Sequence, residues 1–163
     1  LKNAPKGVFK EKQATTTQTD TTSSTASGWV KQDGSWYYFD GNGNPVKNAW
    51  QGSYYLKADG KMAQSEWIYD SYYQAWYYLK SDGSYAKNAW QGDYYLKSNG
   101  KMAQGEWVYD SSYQAWYYLK SDGSYARNAW QGNYYLKSDG KMAKNERVDG
   151  GRYYVDASGL WKP

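Results

Sequence analysis

The chain has 163 residues, a net charge of +4 and 40% hydrophobic residues. Its length suggests one domain, and the apolar fraction falls below the roughly 45–50% of globular chains. Aromatics nevertheless reach 20%, with 10 Trp and 21 Tyr against 2 Phe. A solvated disordered chain would be poor in aromatics, and an ordinary core would rely on Leu, Ile and Val, yet Ile68 is the single isoleucine. With no Cys there is no disulfide scaffold, thiolate metal site or cysteine nucleophile. With no His the commonest general base and metal ligand is missing. No stretch approaches the roughly 18 apolar residues of a membrane-spanning helix. Lys2, Lys6, Lys10 and Lys12 against Glu11 and Asp20 place half of the net charge in the first 27 residues. Elsewhere the signs are mixed, unlike the concentrated basic patch of a nucleic-acid-binding face.

In chain order, the opening LKNAPKGVFKEK lacks the apolar core of a signal peptide, so residue 1 is not expected to be the biological start. Residues 14–27, ATTTQTDTTSSTAS, hold seven Thr, three Ser and no aromatic, which reads as a mobile linker. The predicted division is therefore an N-terminal segment with linker at 1–27 and a repeat domain at 28–163.

Beyond Gly28 the sequence repeats. AWQGSYYLKADGKMAQ at 49–64 returns at 89–104 and 129–144, and EWIYDSYYQAWYYLKSDGSYAKN at 66–88 returns at 106–128, each with a few changes. The period is 40 residues, built from a short unit of 17 and a long unit of 23. Such repetition marks a modular array. Trp76-Tyr77-Tyr78-Leu79 lies between polar turns and predicts a strand. Alternation would put Trp76 and Tyr78 on one face and Tyr77 and Leu79 on the other. Glu66-Trp67-Ile68-Tyr69 predicts a second strand, with 70–74 reversing the chain. The Asp-Gly or Asn-Gly pairs at 59–60, 82–83, 99–100, 122–123 and 139–140 mark tight turns.

Each unit thus reads as a small hairpin plus a connecting turn, over 28–48, 49–65, 66–88, 89–105, 106–128, 129–145 and 146–163. One such hairpin is marginal alone, so its aromatic face must be covered by the next. A period of forty is near that of a propeller blade, but three and a half periods with an aberrant last unit fit an open β-solenoid better. The expected fold class is all-β, a repetitive β-hairpin solenoid.

The segments GWVKQDGSWYYFDGNGNPVKN at 28–48 and EWIYDSYYQAWYYLKSDGSYAKN at 66–88, with their successors, resemble the choline-binding repeats of pneumococcal-type cell-wall surface proteins and lytic enzymes. The leading Trp, the aromatic triplet, the turn Gly and the repeat length carry the resemblance, over about 28–163. It implies a left-handed array of hairpins in a secreted protein, held non-covalently at the bacterial surface by phosphocholine of teichoic and lipoteichoic acids. The ligand would be choline or phosphocholine, with no cofactor, no metal and no catalysis within this chain. The chemistry agrees. A quaternary ammonium has no N–H donor, and its methyl groups suit the π faces of Trp and Tyr, at roughly 0.5–2 kcal/mol per contact.

In the resembling family a cage forms between adjacent hairpins, from the leading Trp, the first aromatic of the triplet and a wall from the following hairpin. Carried over, the candidates are Trp29, Trp36 and Trp50; Trp67, Trp76 and Trp90; and Trp107, Trp116 and Trp130. Tyr38, Tyr78 and Tyr118 are possible secondary lining, and Met62 and Met102 would floor neighbouring sites or fill the stack. The competing reading of any one Trp is plain interhairpin core. Ser53, Asp93 and Asn133 stand where the long units have Trp36, Trp76 and Trp116, so alternating strong and altered sites are expected. In the last unit Glu146-Arg147 replaces Glu-Trp, and Trp161 is expected to cap the array.

Other signals are weaker. Asp40-Gly41-Asn42-Gly43-Asn44 looks like half a calcium loop, but Pro45 and Gln51 stand where Gly and Glu are needed. Glu66, Glu106 and Glu146, with Asp70 and Asp110, could suggest a glycosidase, yet they repeat with the scaffold and are expected to pair with Lys. A glucan or other carbohydrate is the alternative ligand. The parent protein would be a small surface adhesin or a peptidoglycan hydrolase with this chain as its C-terminal targeting module. Host partners and self-association stay open.

Overall fold

The computed structural model describes residues 27–163. The predicted N-terminal segment and most of the linker, residues 1–26, lie outside the described residues. The chain divides into two compact units, described here over 27–86 and Lys87–Pro163. Both are all-β and consist of repeating antiparallel hairpins, consistent with the predicted solenoid class.

The first unit contains β1 (Gly28–Gln32), β2 (Ser35–Phe39), β3 (Ala49–Gln51), β4 (Tyr54–Leu56), β5 (Glu66–Asp70) and β6 (Ala75–Leu79). Pairing is strictly sequential, β1 with β2, β3 with β4 and β5 with β6. The second unit repeats this with β7 (Ala89–Gln91), β8 (Tyr94–Leu96), β9 (Glu106–Asp110), β10 (Ala115–Leu119), β11 (Ala129–Gln131) and β12 (Tyr134–Leu136). It ends in a three-stranded sheet of β13 (Glu146–Val148), β14 (Tyr153–Val155) and β15 (Trp161–Lys162).

Local chemistry explains the turns. Asp33-Gly34 joins β1 to β2 with both residues at positive φ, the requirement of a type I′ hairpin. The short hairpins turn at Gly52, Gly92 and Gly132 with φ near 62°. The long hairpins use four-residue loops, with Gln74 and Gln114 left-handed.

The alternation expected for β6 holds: Ala75, Tyr77 and Leu79 are buried, Trp76 is exposed and Tyr78 is half-buried. The cores run between successive hairpins. Tyr55, Ala63, Ile68, Ala75, Tyr77 and Leu79 form one cluster, and Tyr95, Ala103, Val108, Ala115, Tyr117 and Leu119 form its counterpart 40 residues on. Five connectors also bond back to a preceding hairpin. The Met62 and Met142 N–H groups donate to the Trp36 and Trp116 carbonyls at 2.8 Å, and the Tyr85, Tyr125 and Trp161 N–H groups donate to the Ser53, Asp93 and Asn133 carbonyls at 2.9–3.1 Å. Hairpins too small to be stable alone are thus joined by main-chain bonds as well as aromatic packing.

Candidate aromatic ligand cages

Strand register fixes the leading tryptophans. Trp29 stands opposite Tyr38, Trp67 opposite Tyr78 and Trp107 opposite Tyr118, with ring centroids 5.2–5.3 Å apart. These tyrosines brace the leading tryptophans within their own hairpins. In the first unit Trp29 meets Trp36 at 6.4 Å and Tyr54 at 5.5 Å, with ring planes at 80° and 81°. Met62 joins the same cluster. Near-perpendicular rings stand as walls rather than as a stack.

The second unit holds the equivalent group 78–80 residues later. Trp107, Trp116, Tyr134, Met142 and Ser158 line a cleft of about 350 Å³, and none of them is charged. Tyr134 lies 5.7 Å from Trp107. The methionine lies against a turn glycine: a Cβ at Gly159 would come within 2.7 Å of Met142 Cε, and one at Gly83 within 2.6 Å of Met62 Cε. A larger residue there would displace the methionine.

The structure therefore brings together two members of each predicted trio that it describes within one unit, Trp29 with Trp36 and Trp107 with Trp116. Trp67 is half-buried on Tyr78, and Trp76 lies beside Tyr69 at 5.3 Å. Met102 sits under Gly123 in the second unit. Beside these tryptophans stand Tyr54 and Tyr134, each the first residue of its short-unit strand, while Trp50 and Trp130 pack in separate aromatic clusters. The signal was in the sequence: Tyr-Tyr-Leu follows each Gly-x turn of a short unit.

Trp50, Trp90 and Trp130 centre a second series of clusters. Trp50 packs on Tyr55, Tyr77 and Tyr85 at 5.1–5.9 Å, and Trp90 on Tyr95, Tyr117 and Tyr125 at 5.0–5.7 Å. Trp130 packs on Tyr135 and Tyr153. Each indole N–H is fixed by a carboxylate: Trp50 donates to Asp70 at 2.7 Å, Trp90 to Asp110 at 2.8 Å and Trp130 to Asp149 at 3.0 Å. Burial, and then Asp110, push the Tyr117 phenol up to about 12, and the same causes raise Tyr77 through Asp70. A cleft of about 420 Å³ at Trp90 is lined also by Tyr113, Tyr117, Tyr125, Asp139 and Lys141. Its chemistry is more polar than that of the Trp107 cleft.

The repeated acids have structural partners. Asp70 and Asp110 are buried, and the second oxygen of Asp70 accepts the Tyr72 and Tyr73 N–H groups. Glu66, Glu106 and Glu146 pair with Lys57, Lys97 and Lys137 at 3.1 Å. Asp40 accepts the N–H groups of Asn42 and Asn44 in its own turn. Among the described residues, no three His, Cys, Asp or Glu gather as a metal site. Asp93 is exposed and stands 3.9 Å from Arg127. In the last unit Arg147 donates to the Gly151 carbonyl at 3.0 Å. Trp161 takes the place of Tyr85 and Tyr125, bonded to Asn133 and 6.3 Å from Tyr153.

The model of the choline-binding repeat matches residues 44–85, 84–125 and 124–161, and that of a putative cell wall binding repeat matches 27–44. The crystal structure of the choline-binding domain of CbpL from Streptococcus pneumoniae is 72% identical, covering 85% of this chain and 98% of that one, with a TM-score of 0.63. Choline binding protein F of the same organism is 35% identical over 85% of this chain, with a TM-score of 0.62, and CbpJ from strain TIGR4 is 36% identical over 84%, with a TM-score of 0.61. Those matches take in 48% of each of the latter two chains. A comparison with curated proteins gave no match. The chain belongs to the choline-binding repeat family, the non-catalytic choline- and phosphocholine-binding modules of secreted proteins that attach to phosphocholine-bearing teichoic and lipoteichoic acids.

Proposed function

We propose that choline is held by Trp29, Trp36, Tyr54 and Met62 in the first unit and by Trp107, Trp116, Tyr134 and Met142 in the second. The observation that carries this reading is the uncharged cleft walled by two tryptophans and a tyrosine over a methionine floor. A trimethylammonium group needs π faces and apolar contact rather than hydrogen-bond acceptors, and three walls supply both. Trp67 and Trp76 repeat the first two walls on β5 and β6. Tyr38, Tyr78 and Tyr118 keep the leading tryptophan upright, and Trp50, Trp90 and Trp130 line the second, more polar series. At the level of the parent protein, the module anchors a secreted surface protein, or targets a hydrolase, to the wall.

Calorimetric titration of the full chain with choline tests the assignment. Trp36→Ala and Trp116→Ala each remove one wall, and the affected site should weaken by roughly 2–30-fold, the equivalent of one cation–π contact. Unaltered stoichiometry and affinity in both variants, with the fold intact by circular dichroism, would remove these residues from the site. A parallel titration with a soluble glucan addresses the carbohydrate alternative, which Asp139 and Lys141 in the Trp90 cleft favour. Saturable glucan binding without choline binding would establish it.

A further inference from the structure

The outer neighbour of the second cage tryptophan differs between repeats. Tyr69 stands opposite Trp76 and Tyr109 opposite Trp116, each at 5.3 Å between ring centroids. In the first hairpin the same register position is Lys31, opposite Trp36, and its Nζ lies over the Trp36 ring, 5.9 Å from the centroid. From this difference we infer that Lys31 is a specificity-determining residue that weakens the first cage for cationic ligands. The inference rests on the cage assignment above.

A tryptophan ring offers its negative potential to one cation at a time at full strength. With an ammonium already over Trp36, choline reaching the same ring meets a partly satisfied quadrupole and a like charge. Two cations sharing one ring stand roughly 10 Å apart, where repulsion in a half-wet site is worth a few-fold in affinity. Tyr69 and Tyr109 extend the aromatic surface without adding charge. The Trp107–Trp116 cage therefore keeps its attraction for a quaternary ammonium, while the Trp29–Trp36 cage discriminates less between choline and an uncharged molecule of the same shape.

The test follows the indole N–H signals of Trp29, Trp36, Trp107 and Trp116 in the full chain by NMR during titration with choline, and separately with its neutral isostere 3,3-dimethyl-1-butanol. Lys31→Met keeps the alkyl packing on Trp36 and removes the charge. It should tighten choline at Trp29 and Trp36 about three-fold at low salt, leave Trp107 and Trp116 unchanged, and leave the isostere unchanged at both. Raising salt from about 0.01 to 1 M shortens the screening length from roughly 30 to 3 Å, and should tighten choline at the first cage of the unaltered chain relative to the second, but not in Lys31→Met. If both cages titrate and Lys31→Met changes nothing, the role of Lys31 is overturned and the cages stand. An equal gain for the isostere would also overturn it, because packing rather than charge would be responsible. If neither tryptophan pair of the unaltered chain responds to choline, the cage assignment itself fails.

Discussion

Tyr77 shows how a single side chain serves packing at an electrostatic cost. It is fully buried, and its hydroxyl has no hydrogen-bond partner. A buried hydroxyl left unpaired costs about 1–3 kcal/mol. Tyr77→Phe should therefore stabilise the chain by about 1 kcal/mol in urea denaturation, and a loss of stability would mean that the hydroxyl has a partner in solution. Its counterpart Tyr117 gives a pH dependence. Its folded-state phenol lies at about 12, pushed up by burial and then by Asp110, while an unfolded tyrosine titrates near 10. The folded chain keeps the proton where the unfolded chain releases it, so this contribution is intact below about pH 10 and is lost as pH rises toward about 12. Between about pH 9 and pH 11, roughly one unit either side of the reference value, the denaturation midpoint should fall less in Tyr117→Phe than in the unaltered chain.

At the scale of the hairpin, the sequence was most legible where turn chemistry is local. The Asp-Gly and Asn-Gly turns at 59–60, 82–83, 99–100, 122–123 and 139–140 all place their glycine at φ of 87–92°, as their composition demands. The long-hairpin loops are less ideal, because Gln74 and Gln114 occupy the left-handed region at φ 52°. A side chain with a Cβ costs roughly 1–2 kcal/mol there, partly offset by the entropy that glycine gains on unfolding. Gln74→Gly should thus raise stability by about 0.5–1 kcal/mol, readable as a higher thermal midpoint. No gain would indicate that the Gln74 side chain makes compensating contacts. The repeated Tyr-Tyr-Leu marks Tyr54 and Tyr134 in the sequence, but which rings they meet was not legible at this scale. Tyr54 and Trp50 sit four residues apart on the two strands of one hairpin, yet Tyr54 clusters with Trp29 and Trp50 with Tyr77. Facing is decided by which neighbouring hairpin covers each side, and sequence spacing carries no record of that.

At the scale of the whole molecule, the proposed cages would act together on a polymeric ligand. A single cage offers a few contacts of about 0.5–2 kcal/mol each, but a polymer that presents phosphocholine repeatedly can engage more than one, and linked sites gain about 10²–10⁴-fold in avidity. Retention on a choline-substituted matrix should therefore fall more in the Trp36→Ala, Trp116→Ala double variant than either single variant's loss of free-choline affinity accounts for. Equal losses would show that the cages act singly. The last unit joins this design through a substitution: Trp161 fills the place of Tyr85 and Tyr125, bonded to Asn133, so it completes the cluster around Trp130 as well as closing the apolar face. The sequence suggested capping. The connector hydrogen bond that makes Trp161 equivalent to two tyrosines has no sequence signature, because the donor is a main-chain N–H.

By itself the sequence determined the period, the hairpins, their turns and the aromatic chemistry of the candidate site. Each depends on residues close together in the chain: φ-permissive glycines, two-residue alternation, and a Trp and Tyr excess that no aliphatic core explains. Only the tertiary structure decided which rings meet. It set Tyr54 and Tyr134 against the leading tryptophans, tied Trp50, Trp90 and Trp130 to Asp70, Asp110 and Asp149, and laid Lys31 over Trp36. The physical reason is that a two-stranded hairpin exposes aromatics on both faces. Which rings each face meets is fixed when the next hairpin and its connector pack against it.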